Sequence, residues 1–332
     1  MMPSINIEET FQKFVGLRVL IVGDVMVDSY VTGKVDRVSP EAPVPVVDVK
    51  KFDSRLGGAG NVALNIKAMG GIPIICSVIG RDKEGESLKT LLENEGIYAK
   101  ALLESEKRKT TTKTRVIGNN HQLVRFDYED KTDLDSVDAY LLDEHYHREL
   151  ENCDIVIFED YNKGVLSKQN IQKYIAAATD AGIPTVVDPK KSNFMEYQGT
   201  TLFKPNFKEM KEGLGIETEL DTLDEIEEAI VELEKNLKNK RTLVTLSERG
   251  VIISDEGSFH RKPAHIRNIS DVSGAGDTVI SVASLCVALG LNPSITAELS
   301  NLAGGLVCEE RGVVPIQKER LLSEAKRVFN QS

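Results

Sequence analysis

Short apolar runs alternate with helix-patterned segments through the middle of the chain. Asp154-Ile-Val-Ile-Phe158, Pro184-Thr-Val-Val187 and Thr242-Leu-Val-Thr-Leu246 read as strands, and 133–150, 168–181 and 223–238 read as helices. This alternation constrains the fold more than any other feature. Strand, helix and strand in succession close as right-handed βαβ units, which stack into a mostly parallel sheet covered by helices on both faces. Arg18-Val-Leu-Ile-Val-Gly-Asp24 is apolar without alternation, as expected of a strand buried on both faces that opens such a sheet. The 332 residues carry no repeat, low-complexity tract or linker, so one domain over 1–332 is expected.

Composition narrows the partners. Acidic residues outnumber basic ones 52 to 41, a formal net charge of −11. That balance argues against nucleic acid and membrane surfaces, so an anionic ligand needs a local basic pocket. Cys76, Cys153, Cys286 and Cys308 are widely spaced and form no zinc-type pairs, which predicts reduced thiols. The uncharged run Thr278 to Ala297 is interrupted by Gly290, Asn292 and Pro293 and does not read as a membrane span, and 1–16 lacks a signal pattern. A cytoplasmic location is the expectation.

Between Tyr30 and Leu56 the pattern becomes extended, and Ser39-Pro-Glu-Ala-Pro-Val-Pro-Val-Val-Asp48 excludes both a helix and a central strand. With strand-like 110–117 and 122–128, lid segments at about 30–56 and 108–129 are expected to form a small separate β sheet, either a mobile cover, a dimer contact or a fixed surface meander. Leu56-Gly-Gly-Ala-Gly-Asn61 reads as a glycine-rich turn feeding a helix that stops at Gly70. Gly57 and Gly58 allow close approach of a ligand, and Asn61 either bonds a hydroxyl or opens the helix.

In an open α/β sheet ligands bind beyond the carboxyl ends of the strands. Asp24 and Asp28 fall there, Asp24 as a hydroxyl partner or a turn cap, together with Asp160-Tyr-Asn-Lys-Gly164, Asp188-Pro-Lys190, Lys204-Pro-Asn-Phe-Lys-Glu209 and Thr245-Leu-Ser247. Asp271-Val-Ser-Gly-Ala-Gly-Asp277 then runs into an apolar helix. Its glycines expose amides at a helix start, which attracts anions. Asp277 there suits a general base, or merely a favourable acid in a first turn.

These residues resemble the ribokinase-like, PfkB-type family of carbohydrate kinases over nearly the whole chain. Two motifs carry the resemblance: Gly57-Gly-Ala-Gly-Asn61-Val-Ala63 with Gly70 and Gly80, and Asp271 to Asp277 with Asn206-Phe-Lys-Glu209. The resemblance implies a three-layer sandwich with a small β lid, ATP and Mg²⁺ as cofactors, and Asp277 as base with Gly274, Ala275 and Gly276 as the anion hole. It further implies Asn206 and Glu209 at the nucleotide and magnesium, Glu209 reaching the metal through water or phosphate. Thr245, Ser247 and Gly250 would border the nucleotide, and Asp28, Gly57, Gly58 and Asn61 the sugar. Arg37 to Val46, Asn120 to Arg125, Asp160 to Gly164 and Val187 to Lys190 resemble the heptose 7-phosphate kinase branch, which serves ADP-heptose synthesis for lipopolysaccharide. Glu159 departs from the small residue expected at its position, and Val282 from the family signature. A sugar phosphate needs cations for its existing phosphate, and Arg115, Arg125, Lys163 and Lys190 are the candidates. No His-x-Gly-His segment occurs, so a kinase without a nucleotidyl-transfer domain is expected, with a homodimer through the lid strands possible. A kinase for fructose, ribose or fructose 6-phosphate remains an alternative, as does a non-catalytic binder. The Gly-Asp-Val-Met-Val-Asp after the first strand excludes a dinucleotide fingerprint.

Overall fold

A computed structural model of the chain describes residues 5–330. In chain order the strands are β1 Arg18–Gly23, β2 Val25–Val38, β3 Pro45–Gly58, β4 Ile72–Gly80, β5 Tyr98–Ser105, β6 Thr112–Gly118, β7 His121–Tyr128, β8 Ile155–Glu159, β9 Thr185–Asp188, β10 Leu202–Phe203, β11 Arg241–Thr245, β12 Val251–Asp255 and β13 Ser258–Lys262. The helices are α1 Ile7–Lys13, α2 Ala59–Ala68, α3 Lys83–Asn94, α4 Ser136–Leu150, α5 Lys168–Asp180, α6 Phe207–Leu214, α7 Leu223–Leu237, α8 Ala275–Ala288, α9 Pro293–Val307 and α10 Lys318–Asn330.

Nine strands form the main sheet in the order β13-β12-β11-β10-β9-β8-β1-β4-β5. It is parallel from β5 to β11 and ends in the antiparallel β11-β12-β13 meander. Alternate residues of each strand feed opposite cores. Val19 and Ile21 pack with α1, α2, α8, α9 and α10, whereas Leu20 and Val22 pack with α4, α5 and α7. Continuous apolar strands therefore become the middle layer of an α/β/α sandwich.

Helix boundaries follow their caps. Ser167 with Asn170, Asn206 with Glu209, and Thr222 with Glu225 form capping boxes at α5, α6 and α7. The long uncharged run divides where anticipated, because Asn292 caps α9 with Pro293 in its first turn. Among the described residues no helix is long and apolar enough to cross a membrane. All four cysteines are unpaired thiols.

The second sheet has the order β3-β2-β6-β7, with β2 and β6 parallel and the outer pairs antiparallel. It begins at Val25, with Asp24 alone between it and β1, and the glycines read as a turn at 57 and 58 are the last residues of β3. Strand β5 was not legible. Tyr98-Ala-Lys-Ala-Leu-Leu-Glu-Ser105 is poor in β-branched residues and is a half-exposed edge strand supported by β4.

Candidate active site

The main sheet reverses direction of growth between β1 and β8, and the carboxyl ends of β1, β8, β9, β10 and β11 open a crevice there. Asp24, just past β1, is buried. Its Oδ2 accepts the amides of Tyr161 (2.8 Å) and Lys163 (3.1 Å), and its Oδ1 that of Val165 (3.3 Å). Burial and then the charge of Asp160 push its carboxyl up to about 6, against the pull of those amides. Of the two roles open to it, Asp24 fills the structural one: it anchors the 161–165 loop.

Asp277 lies in the first turn of α8, 7 % exposed. Its Oδ2 accepts Asn61 Nδ2 of α2 at 2.7 Å, and its Oδ1 accepts the Tyr161 hydroxyl at 2.9 Å. Desolvation raises its carboxyl to about 6; the charge of Asp188 adds to this, while the two hydrogen bonds and Lys204 oppose it. The turn before it needs glycine. Gly274 has φ of +79°, and a Cβ there would stand 2.9 Å from Asn61 Nδ2. A helix with no side-chain cap leaves its positive end toward the crevice, although the Ala275 amide is committed to Val272 O at 3.3 Å. Behind Asp277, Asn65 accepts from the Thr278 hydroxyl (3.1 Å) and the Ile316 amide (2.9 Å), tying α2 to α8.

Beside Asp277 sit Glu159 at the end of β8 and Asp188 at the end of β9, both buried. Lys204 Nζ reaches Asp188 Oδ2 at 2.9 Å, and Lys190 Nζ lies 3.6 Å from Asp188 Oδ1 and 2.7 Å from Glu209 Oε1. Burial alone would raise Asp188, but the two ammonium groups hold it below its ordinary range. Burial would likewise lower Lys190, yet Asp188 and Glu209 outweigh it and keep the ammonium charged. Glu159 is pushed well up by burial, then by Asp188 and Asp277.

The remaining candidates separate into those the fold gathers and those it leaves apart. Asn206 and Glu209 cap α6 reciprocally, at 2.8 and 2.9 Å, so the Asn-x-x-Glu spacing has a local structural role of its own. With one Glu209 oxygen on the Asn206 amide and the other on Lys190, a metal is better reached from it through water than directly. Asn206 bridges to Thr245, and Ser247 and Gly250 form the turn after β11. Asp28 of β2 is ion-paired with Arg115 of β6, and Gly57 makes room for its carboxylate. A Cβ on Gly58 would meet Asp24 O at 2.5 Å. Lys163 pairs with Glu129 at 2.7 Å, as does Lys131 at 2.9 Å. Burial favours the neutral acid, but these lysines with Lys113 hold Glu129 at about 2. A polar cavity of about 350 Å³ opens there, lined by Lys131, Tyr161, Asn162, Lys163, Ser192 and Asn193. Arg125, on the exposed β7, pairs with Asp127 at 2.9 Å. Asn61, anticipated at the sugar, is engaged with the proposed base. Tyr161 escaped the sequence reading, although its segment was singled out; no spacing rule ties a tyrosine at 161 to an acid at 277.

An open α/β sandwich whose strand ends gather acids and lysines at a helix start, with a β sheet beside the crevice, is the ribokinase-like fold. It superimposes on Escherichia coli phosphofructokinase-2 in complex with potassium with a TM-score of 0.79 at 21 % identity, covering 95 % of this chain and 99 % of that one. Arabidopsis thaliana ribokinase complexed with ribose and ATP gives 0.70 at 18 % identity, over 93 % and 99 %. Residues 17–319 match the pfkB family of carbohydrate kinases; the chain belongs to that family and is a phosphotransferase acting on a sugar hydroxyl. Kinases of this family use ATP. The D-beta-D-heptose 7-phosphate kinase of Bordetella bronchiseptica is 38 % identical over 95 % of this chain and 98 % of its own length. The bifunctional protein HldE of Caulobacter sp. (strain K31) is 41 % identical over 95 % of this chain, which spans 64 % of that relative's length.

Proposed function

We propose that the chain transfers the γ-phosphoryl group of ATP to the anomeric hydroxyl of D-glycero-β-D-manno-heptose 7-phosphate, giving the 1,7-bisphosphate. The observation that carries this reading is Asp277 at the start of α8, held by Asn61 and Tyr161 from two distant parts of the chain. Both bonds fix the carboxylate without neutralising it, so it is placed to take the hydroxyl proton as the bond to phosphorus forms. The positive end of α8, with Gly274, Ala275 and Gly276, faces the transferring oxygens. Asn206 and Glu209 organise the nucleotide with its Mg²⁺ through water, and Thr245, Ser247 and Gly250 border it. When bound, the metal screens the charge of the nucleotide phosphates.

On the sugar side, Asp28, Gly57 and Gly58 lie at the root of the lid. The polar cavity of about 350 Å³ is our preferred place for the phosphate already on the sugar, which favours Lys163 with Lys131 over Arg125. The relatives' names and the four branch-type segments support heptose 7-phosphate as the acceptor. Outward-facing Phe52, Val124 and Phe126 on the lid support a homodimer through its strands, which sedimentation at micromolar concentration would test.

The test of function is ADP release with Mg-ATP against heptose 7-phosphate, fructose 6-phosphate, fructose and ribose. Saturable turnover on heptose 7-phosphate alone is expected. Turnover only on another sugar would overturn the acceptor while leaving the family's chemistry in place.

A further inference from the structure

The carboxylate of Glu159 is fully buried, and among the described residues neither of its oxygens has a hydrogen-bond partner. Such a group is costly unless it is neutral or meets a cation. One oxygen each from Glu159, Asp188 and Asp277 lie within 4.8 Å of one another. Asp188 Oδ1 likewise lacks a hydrogen-bond partner, with Lys190 3.6 Å away. Four carboxylates, those of Glu159, Asp188, Asp277 and Glu209, face two ammonium groups, Lys190 and Lys204. Hard oxygen donors are what such a cation takes, and bonds of about 2.0–2.1 Å hold its ligand oxygens about 3–4 Å apart.

We propose that Glu159, together with Asp188 and Asp277, binds one divalent cation of the magnesium or manganese type when no nucleotide is present. Glu159 and Asp188 are the principal ligands, since Asp277 keeps its bonds to Asn61 and Tyr161. The site is distinct from Asn206 and Glu209, whose carboxylate is taken by a backbone amide and Lys190. It does not depend on which sugar is phosphorylated. Its sequence signal is the glutamate at 159, where a small residue was expected.

The test leaves nucleotide out altogether. Protein stripped with EDTA and dialysed is titrated with Mn²⁺, followed by electron paramagnetic resonance, and its thermal unfolding is measured with and without the metal. The wild type should bind one Mn²⁺ per chain more tightly than any surface site, and Tm should rise by about 2 °C or more at tenfold excess over Kd. Glu159→Gln should lose affinity by roughly tenfold or more. Its metal-free Tm should equal or exceed that of the wild type, because the amide removes a buried charge. Should that variant fail to fold, Glu159→Ser takes its place in the comparison. No binding by the wild type, or equal affinity in the folded variant, overturns the site. A protein that phosphorylates sugar with Mg-ATP but ignores free Mn²⁺ disproves this cation site alone; one that binds Mn²⁺ but turns over no sugar disproves the kinase reading alone.

Discussion

Strand β8 in the main sheet buries all five of its residues, while all eight residues of β7 in the lid sheet are exposed. The same contrast governs the polar groups each sheet carries. On the floor, Asp277 is held from α2 and from the 161 loop, and Asp188 by Lys190 just after β9 and Lys204 just after β10. On the lid the pairs are simpler, Arg115 with Asp28 and Arg125 with Asp127. A floor residue thus answers to several distant segments at once, whereas a lid residue answers mainly to its neighbour on the sheet. Damage to the floor should appear in the chemical step, and damage to the lid in substrate affinity.

Asp277→Asn should break the floor most severely, lowering turnover by a factor on the order of 10² to 10⁴ with circular dichroism and ATP binding unchanged. Near-normal turnover would remove Asp277 from the reaction. The pH profile sharpens the same point. A general base works ionised and burial raises Asp277 to about 6, so under the proposed reading kcat/KM should climb about tenfold per unit below that pH and level above it. A limb retained by the asparagine variant would belong to another group.

Asp24→Asn tests the anchor rather than the base. An amide cannot accept all three loop amides, so unfolding by urea should show a loss of about 1–3 kcal/mol at pH 7. The pH slope has a defined sign. The folded value, about 6, lies above the ordinary 3.8, so the folded state binds the proton more tightly and stability falls as pH rises through that window. The variant, lacking the carboxyl, should show a shallower fall; an identical slope would mean that Asp24 does not titrate there.

On the lid, Asp28→Asn should raise KM for the sugar about tenfold and leave kcat within a few-fold. An equal loss in both would move Asp28 to the floor's side of the contrast. Arg125→Ala should change stability by no more than about 0.5 kcal/mol, as its ion pair is exposed. A larger loss that depends on protein concentration would mean that a second chain covers β7.

The main sheet was legible because β-branched apolar runs such as Ile155 to Phe158 have few alternatives to a doubly buried strand. The helix start at Asp277 was legible because glycine at 274 marks a turn that few other residues can make. Strand β5 was not, since Ala-Lys-Ala-Leu-Leu fits a helix as readily as an edge strand. The pairing of Tyr161 with Asp277 was hidden for a different reason: 116 residues separate them, and only the stacking of β8 beneath α8 brings them together. Glu159 was noticed as a departure, but its unpartnered oxygens could be seen only once β9 and α8 were in place.

Asp24 is the single residue between β1, sealed in the rigid sheet, and β2, which carries the lid. Its carboxylate also grips the loop that presents Tyr161 to the base. The joint between the two sheets and the clamp on the Tyr161 loop are therefore one residue. A displacement of β2 would be felt at once by the loop that sets Tyr161 against Asp277.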